Sequence, residues 1–212
     1  MTCTLCRGTA LFWCEAPDRK KYFRCGNCFL VFLEPASHPN AERELARYRE
    51  HNNLLNSPSY LSYLDRLAAP VTAAIAPGKM KGFDYGCGPV EGMRHLLEPR
   101  GFFISSYDPY FFPREELLKF SYDFVLCSEV VEHFFQPRED FSRLQPCLEP
   151  GSILGISSRL YPESSEEFAH WGYRRDPTHV SFFSAKTVHW LAREFGWELL
   201  NLESPIWILR KR

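Results

Sequence analysis

The chain has 212 residues, and its 25 Lys and Arg stand against 26 Asp and Glu, a net charge of −1 that gives no electrostatic case for nucleic acid or an anionic membrane as partner. Hydrophobic residues at 45% and aromatic residues at 16% suit a packed globule, and no apolar run approaches a membrane-spanning length. The N-terminus shows no charged-then-apolar leader pattern, so a cytoplasmic location is expected, with the eight cysteines reduced or metal-bound.

The chain begins with Cys3-Thr-Leu-Cys6 and, after a gap, Cys25-Gly-Asn-Cys28. Two C-x-x-C knuckles at this spacing are the pattern of a tetrahedral zinc site, because each turns sharply enough to aim two thiolates at one ion. Phe12–Trp13 and Tyr22–Arg24 read as short strands between the knuckles. So small a unit has too little core to fold alone, and bound metal would supply the missing free energy. Four thiolates from Cys3, Cys6, Cys25 and Cys28 close the shell, which makes a zinc there structural. Cys14 reads as a small buried hydrophobe.

Phe29 to Pro35 is an apolar strand, followed by a Pro-rich linker. A charged helix is expected from Ala41 to about Asn53, capped by Asn40, and a second from Ser59 to Ala76 that Pro70 should kink or split. Tyr48, Tyr60 and Tyr63 either line a pocket or simply pack. Lys81 to Asp84 is a short strand that breaks into a turn with Gly86 and Gly88, and a helical pattern follows at Met93, Leu96 and Leu97. Such a turn lets the backbone approach a ligand, and the helix behind it presents free N–H groups. A second strand ends at Asp108, about 20 residues on, where such folds place a carboxylate on ribose hydroxyls. A third runs from Tyr122 into the acid-rich turn Cys127-Ser-Glu-Val-Val-Glu-His133. Three polar strand ends would meet at one edge of a parallel sheet, where ligands bind.

These motifs, Phe83-Asp-Tyr-Gly-Cys-Gly88, Tyr107-Asp-Pro109 and Tyr122 to His133, together with Leu148-Glu-Pro-Gly-Ser-Ile-Leu154, resemble the class I S-adenosylmethionine-dependent methyltransferases over about residues 80–212. The resemblance implies an α/β fold, a Rossmann-like and mostly parallel seven-stranded sheet with helices on both faces, behind a small zinc ribbon. It implies that Asp84, Tyr85, Gly86, Cys87 and Gly88 hold the methionine part of the cofactor, Asp108 and Pro109 its ribose side, and that Cys127, Ser128 and Glu129 flank it. The family's usual third glycine falls at Val90, with Gly92 two residues late. Residues 1–35 are then the ribbon, 36–79 a helical linker and cap, and 80–212 the methyltransferase-like domain, with a long irregular insert at 159–183.

The expected reaction is methyl transfer to a small-molecule acceptor, a hydroxyl in the leading reading, with Glu129, His133 and His179 as catalytic candidates. The run Glu129-Val-Val-Glu132-His133, with Thr178-His179 later, is similar to the magnesium-dependent ubiquinone-pathway O-methyltransferases and small-RNA 2′-O-methyltransferases. It could hold a divalent ion that lowers a hydroxyl's pKa; Glu132 paired on a helix and His133 packed inside is the plainer alternative. Trp171, Tyr173, Arg174 and Arg175 of the insert are candidates to contact a flat or anionic acceptor. A nicotinamide dehydrogenase would need glycine at Glu91. The reading from another class is a zinc-ribbon module binding nucleic acid or protein on a non-catalytic scaffold, with Arg19, Lys20, Lys21 and Arg24 as its basic run.

Overall fold

The computed structural model describes residues 1–50 and 53–212. The ribbon consists of β1 (Ala10–Glu15), β2 (Lys21–Cys25) and β3 (Val31–Leu33), all antiparallel. Helix α1 (Ala41–Arg49) starts on the Asn40 cap, whose side chain accepts from the Arg43 N–H at 3.0 Å. The end of the expected helix at residues 51 and 52 lies outside the described residues. Helix α2 (Pro58–Ala74) is capped by Ser57 and runs unbroken through Pro70, so the expected split does not occur. There follow β4 (Lys81–Tyr85), α3 (Gly92–Leu97), β5 (Phe103–Tyr107), β6 (Tyr122–Ser128), α4 (Pro137–Leu144) and β7 (Leu148–Ser157). The chain ends with α5 (Ser165–His170), β8 (Ser181–Phe182), α6 (Ala185–Glu194), β9 (Trp197–Glu203) and β10 (Ile206–Lys211).

The main sheet has the order β5-β4-β6-β7-β10-β9. Its first four strands are parallel, and β10 runs antiparallel to both neighbours. The sheet therefore has six strands among the described residues, where seven were expected. The missing edge strand has a local cause. Between Asp108 and Tyr122 the chain folds back in a tight turn closed by reciprocal Asp108–Phe112 backbone bonds at 3.0 Å. Pro113 follows, and Glu115–Lys119 winds into a 3-10 helix, so no extended segment is left to pair with β5.

Strand alternation builds two cores. Phe124 and Leu126 of β6 face Leu64, Leu67 and Val71 of α2, while Val125 and Cys127 face the opposite cluster with Phe141 of α4 and Leu191 of α6. Helix α2 reaches the sheet at Gly155, where an added Cβ would lie 2.2 Å from Val71 Cγ2.

The segment 159–183 is more ordered than its composition suggested. Ser164 caps α5 by accepting from the Glu167 N–H, and Phe168 buries its ring against Tyr22 of the ribbon. Strand β8 then pairs with β3, Val31 opposite Phe182, and completes the ribbon's sheet as its fourth strand. Leu5, Leu30 and Phe32 of the ribbon share a core with Phe83 and Leu154 of the main sheet. No helix among the described residues is long and apolar enough to cross a membrane.

Candidate active site

A cavity of about 790 Å³ opens at the C-terminal ends of β4, β5 and β6. Asp84, Tyr85, Gly86, Cys87, Gly88, Asp108, Pro109, Ser128 and Glu129 all line it, as do Tyr48, Tyr60 and Tyr63 from the two helices before β4. Cys127 does not. It points from β6 into the core, because strand alternation turns it to the face away from α2.

The Gly turn is held from β5. Gly86 N–H and Cys87 N–H both donate to the Tyr107 carbonyl, at 2.8 and 3.1 Å. Asp108 accepts from Gly88 N–H at 3.0 Å through one oxygen, and from Tyr110 N–H and Phe111 N–H at 2.9 and 3.1 Å through the other. Its carboxylate thus pins two loops together and retains little free acceptor capacity. Gly86 has φ 80°, and a Cβ there would lie 2.6 Å from Val130, so the chain's own packing demands glycine. Gly88 has φ 68° and nothing within 4 Å of an added Cβ. Asp84 is buried at the cavity floor, and no described residue donates a hydrogen bond to it. Burial pushes its carboxyl up to about 8, with the Asp108 and Glu91 charges adding to the effect.

A second cluster sits on the cavity wall. Glu129 adopts φ 54°, uncommon for a non-glycine residue and of the kind that collects at functional sites. Its Oε1 accepts from Ser157 Oγ at 3.1 Å and its Oε2 from Tyr173 OH at 2.9 Å. The same Tyr173 hydroxyl also contacts Glu132 Oε1. One hydroxyl has one proton to donate, so it cannot satisfy both carboxylates. Glu132 Oε2 is buried with no partner at all. Burial, and then the Glu129 charge, push Glu132 well above the usual carboxylate range.

Two imidazoles complete this cluster. His133 Nδ1 lies 3.1 Å from the Thr178 carbonyl and His179 Nδ1 lies 2.7 Å from the Tyr173 carbonyl. A carbonyl only accepts, so each Nδ1 carries a proton. Burial holds the His179 pKa below its ordinary value. One donor atom each from Glu132, His133 and His179 lie within 4.8 Å of one another. His133, His179 and Glu129 line the same cavity as the Gly turn.

The sequence matches the family described as a methyltransferase domain over residues 45–202. The chain belongs to the methyltransferase-domain family. No curated protein matches it. Among solved structures it is similar to a Burkholderia thailandensis 1,6-didemethyltoxoflavin-N1-methyltransferase with bound 1,6-didemethyltoxoflavin and S-adenosylhomocysteine. That match has 13% identity and a TM-score of 0.58, over 91% of this chain and 96% of that one. It is also similar to an O-methyltransferase family protein from the same organism, at 11% identity and a TM-score of 0.54, over 84% of this chain and 65% of that one. These likenesses show the fold. With the family match, the expected class stands: the chain is an S-adenosylmethionine-dependent methyltransferase.

In this methyltransferase the four ribbon cysteines converge. Cys3 Sγ lies 3.5 Å from Cys28 Sγ and Cys6 Sγ lies 3.3 Å from Cys25 Sγ, with all four sulfurs within 4.8 Å of one another. Backbone N–H groups of Leu5, Gly8 and Asn27 donate to Cys3, Cys6 and Cys25 at 3.4 Å each. Arg7 and Phe29, each directly after a knuckle, take φ 61° and so close both turns in the left-handed region. Cys14 stands apart and packs beside Trp13 and the insert.

Two expectations for the methyltransferase's insert change. Arg174 is buried and does not face the cavity. It donates to the Ala169 carbonyl at 2.8 Å and pairs with Asp18 at 3.0 Å, which ties the insert to the ribbon. Trp171 packs on Phe168 and Tyr173. Sequence reasoning missed Ser157, whose hydroxyl bonds Glu129 from the next strand. It also missed Glu44 of α1, which accepts from Tyr110 OH at 2.8 Å and Tyr48 OH at 3.2 Å and so roofs the cavity. Lone Ser and Glu residues carry no motif; only the fold brings them in.

Proposed function

We propose that this methyltransferase methylates a hydroxyl of a small-molecule acceptor, with a divalent ion such as magnesium at Glu132, His133 and His179 and a structural zinc at Cys3, Cys6, Cys25 and Cys28. The observation that carries the reading is the convergence of Glu132, His133 and His179 at the cavity's edge. Glu132 Oε2 is buried without a hydrogen-bond partner, and one donor atom each of Glu132, His133 and His179 lie within 4.8 Å of one another beside the cavity that His133 and His179 line. A cation among these groups would hold Glu132 ionised against the burial that otherwise keeps it protonated. The carboxylate suits magnesium, while the two imidazoles would favour a first-row transition ion such as iron or zinc in the same place.

S-adenosylmethionine supplies a methyl group already activated on a sulfonium, and a divalent ion beside it would lower the pKa of an acceptor hydroxyl. The chain's part is to bind and align. Asp84, held without a donor, is placed for the cofactor's cationic end. Gly88 leaves room over the turn, and the loop end at Asp108 and Pro109 meets the ribose side. Ser128 and Glu129 flank the cofactor. Glu129, with its carboxylate fixed by Ser157 and Tyr173, accepts the hydroxyl proton. Tyr173 and His179 close the wall and exclude water. Without a metal, His179 Nε2 is the alternative proton acceptor, since its Nδ1 is committed to the Tyr173 carbonyl.

Two residues of the ribbon's basic run are engaged within the ribbon, which weakens the binding-module reading. Arg24 lies over the Trp13 and Phe29 rings, and Arg19 faces Glu15. The testing experiment is calorimetry with S-adenosylhomocysteine, followed by a screen of hydroxylated acceptors with and without added magnesium. Binding with magnesium-dependent turnover is expected. Tight cofactor binding with turnover insensitive to a chelator too weak to strip the ribbon would remove the metal and leave His179 as the base.

A further inference from the structure

A second cavity, of about 880 Å³, lies on the outer side of the insert, between the ribbon, α1 and residues 172–179. Its wall is shared with the active site, because Asp176 and His179 line both. Its charge is lopsided for a chain of net charge −1. Four cations, Lys20, Arg43, Arg47 and Arg175, line it against two carboxylates, Glu50 and Asp176. Both carboxylates are paired with one guanidinium, which leaves the groove a net charge of about +2. Arg47 pairs with Asp176 at 2.8 Å and with Glu50 at 2.9 Å, and Thr178 N–H and hydroxyl also donate to Asp176. Asp18, in the same turn as Lys20, pairs with Arg174. Lys20, Arg43 and Arg175 are left without an ion pair among the described residues. They come from three separate elements, the β1–β2 turn, α1 and the insert, so no local sequence pattern explains their meeting. Like charges gathered around a concave surface repel one another, and an anion in the groove relieves that repulsion.

From this arrangement we infer that the acceptor is a small molecule carrying a phosphate or carboxylate remote from the methylated hydroxyl, and that this anion seats in the outer groove on Lys20, Arg43 and Arg175. The inference rests on the methyl-transfer reading above and deepens it. The anion would sit on the ribbon side of Asp176 and His179, the residues common to both cavities, and the hydroxyl on their other side, toward Glu129 and His133. Arginine forks suit phosphate and carboxylate oxygens, while the partly buried Lys20 acts as a point charge. The ribbon then has a share in substrate choice beyond its structural role, since Lys20 belongs to it.

The test is calorimetry on the full zinc-loaded chain saturated with S-adenosylhomocysteine, using phenyl phosphate, benzoate and phenol as probes. Phenyl phosphate or benzoate should bind at least tenfold more tightly than phenol, and the preference should weaken with salt. Whichever anion binds more tightly identifies the acceptor's group. The triple variant Lys20→Gln, Arg43→Gln, Arg175→Gln should erase the preference and leave S-adenosylhomocysteine affinity unchanged. The single reversal Arg175→Glu, at an exposed position that folding does not need, should lower anion binding by itself. Equal affinity for the three probes, or a preference that survives the triple variant, overturns the inference while methyl transfer stands. If S-adenosylhomocysteine itself does not bind, the methyl-transfer reading fails and the inference falls with it. A single-stranded oligonucleotide that binds through these three cations far more tightly than phenyl phosphate overturns the small-molecule assignment.

Discussion

The ribbon and the strand-end cavity both gather buried polar groups, and they treat them in opposite ways. In the ribbon the four sulfurs face one another, and three receive a backbone N–H. The N–H contacts to sulfur are made two residues on, and the two knuckles meet each other across 19 and 25 residues of chain. In the cavity Asp84 has no donor among the described residues, Glu132 Oε2 is orphaned, and one tyrosine hydroxyl is divided between two carboxylates. A closed polar set is the signature of a structural centre; a set short of partners is one built to receive them. The difference teaches where ligands exchange. It also shows that the two regions are mechanically joined: β3 of the ribbon pairs with β8, Leu33 N–H donates to the Val180 carbonyl, and Val180 N–H donates to the Glu132 carbonyl.

Removing a ribbon thiolate should have the largest effect. Cys28 shares a core with Leu30, Phe32 and Phe83. Cys28→Ser is expected to lose the metal and to destabilise the chain by on the order of 5 kcal/mol or more. Elemental analysis and urea unfolding check this, and full metal content with an unchanged midpoint would break the contrast at its closed end. The open end is probed by His179→Ala, expected to lower turnover on the order of 10²–10⁴-fold. S-adenosylhomocysteine affinity should hold, because His179 lies on the wall away from the Gly turn. A parallel loss of cofactor affinity would make the residue part of the fold rather than of the chemistry.

Asp84 lets the contrast be read by pH. The unfolded chain loses this proton near the ordinary aspartate value, while the folded chain keeps it up to about 8. Stability without ligand is therefore highest in acid and falls as pH rises from about 4 through 8, by roughly 2–4 kcal/mol from this group. Asp84→Asn cannot ionise and should flatten that fall. It should also weaken S-adenosylhomocysteine, whose affinity in the parent chain rises toward pH 8 as the carboxylate forms to meet the ligand's ammonium. Thermal unfolding and calorimetry across pH 5–8 decide it, and identical profiles in parent and variant would show Asp84 to be an inert buried acid. Asp108→Ala comes next. Cofactor binding should weaken by roughly 1.5–3 kcal/mol. The cause differs from direct ribose contact alone, because the carboxylate already accepts three backbone N–H groups that shape the turn. Unchanged affinity in a folded variant counts against both roles.

Local chemistry was legible in the sequence, and pairing across the chain was not. The knuckles, the strand ends at Asp84 and Asp108 and the Asn40 cap each depend on neighbours in sequence. The missing seventh strand turned on whether 109–121 could extend, which the Asp108–Phe112 turn prevents and no periodicity announces. The insert read as irregular because β8 is two residues long and becomes a strand only against β3. Arg174 read as a substrate contact because its partner Asp18 lies in another unit of the sequence. The run Glu129 to His133 was visible, but its divided Tyr173 hydroxyl depends on the insert folding back.

The smallest single effect, at Gly88, belongs to a pair of glycines that look alike in sequence. Both take positive φ, 80° at Gly86 and 68° at Gly88, so alanine at either is strained by about 1 kcal/mol. They differ in what surrounds them. At Gly86 a Cβ meets Val130 at 2.6 Å, beside the Glu129 backbone, so Gly86→Ala must push the acid-bearing turn aside and should cost a further 1–3 kcal/mol, roughly that of an overpacked core. At Gly88 a Cβ meets nothing within 4 Å, so Gly88→Ala should cost little beyond the strain. The open space lies on the cavity. If it belongs to the cofactor, Gly88→Ala should lose S-adenosylhomocysteine affinity out of proportion to its small loss of stability, and Gly86→Ala should show the reverse. Urea midpoints set beside calorimetric affinities make the comparison. Equal ratios at the two positions would mean that the space over Gly88 is solvent and that the cofactor takes another path across the strand ends.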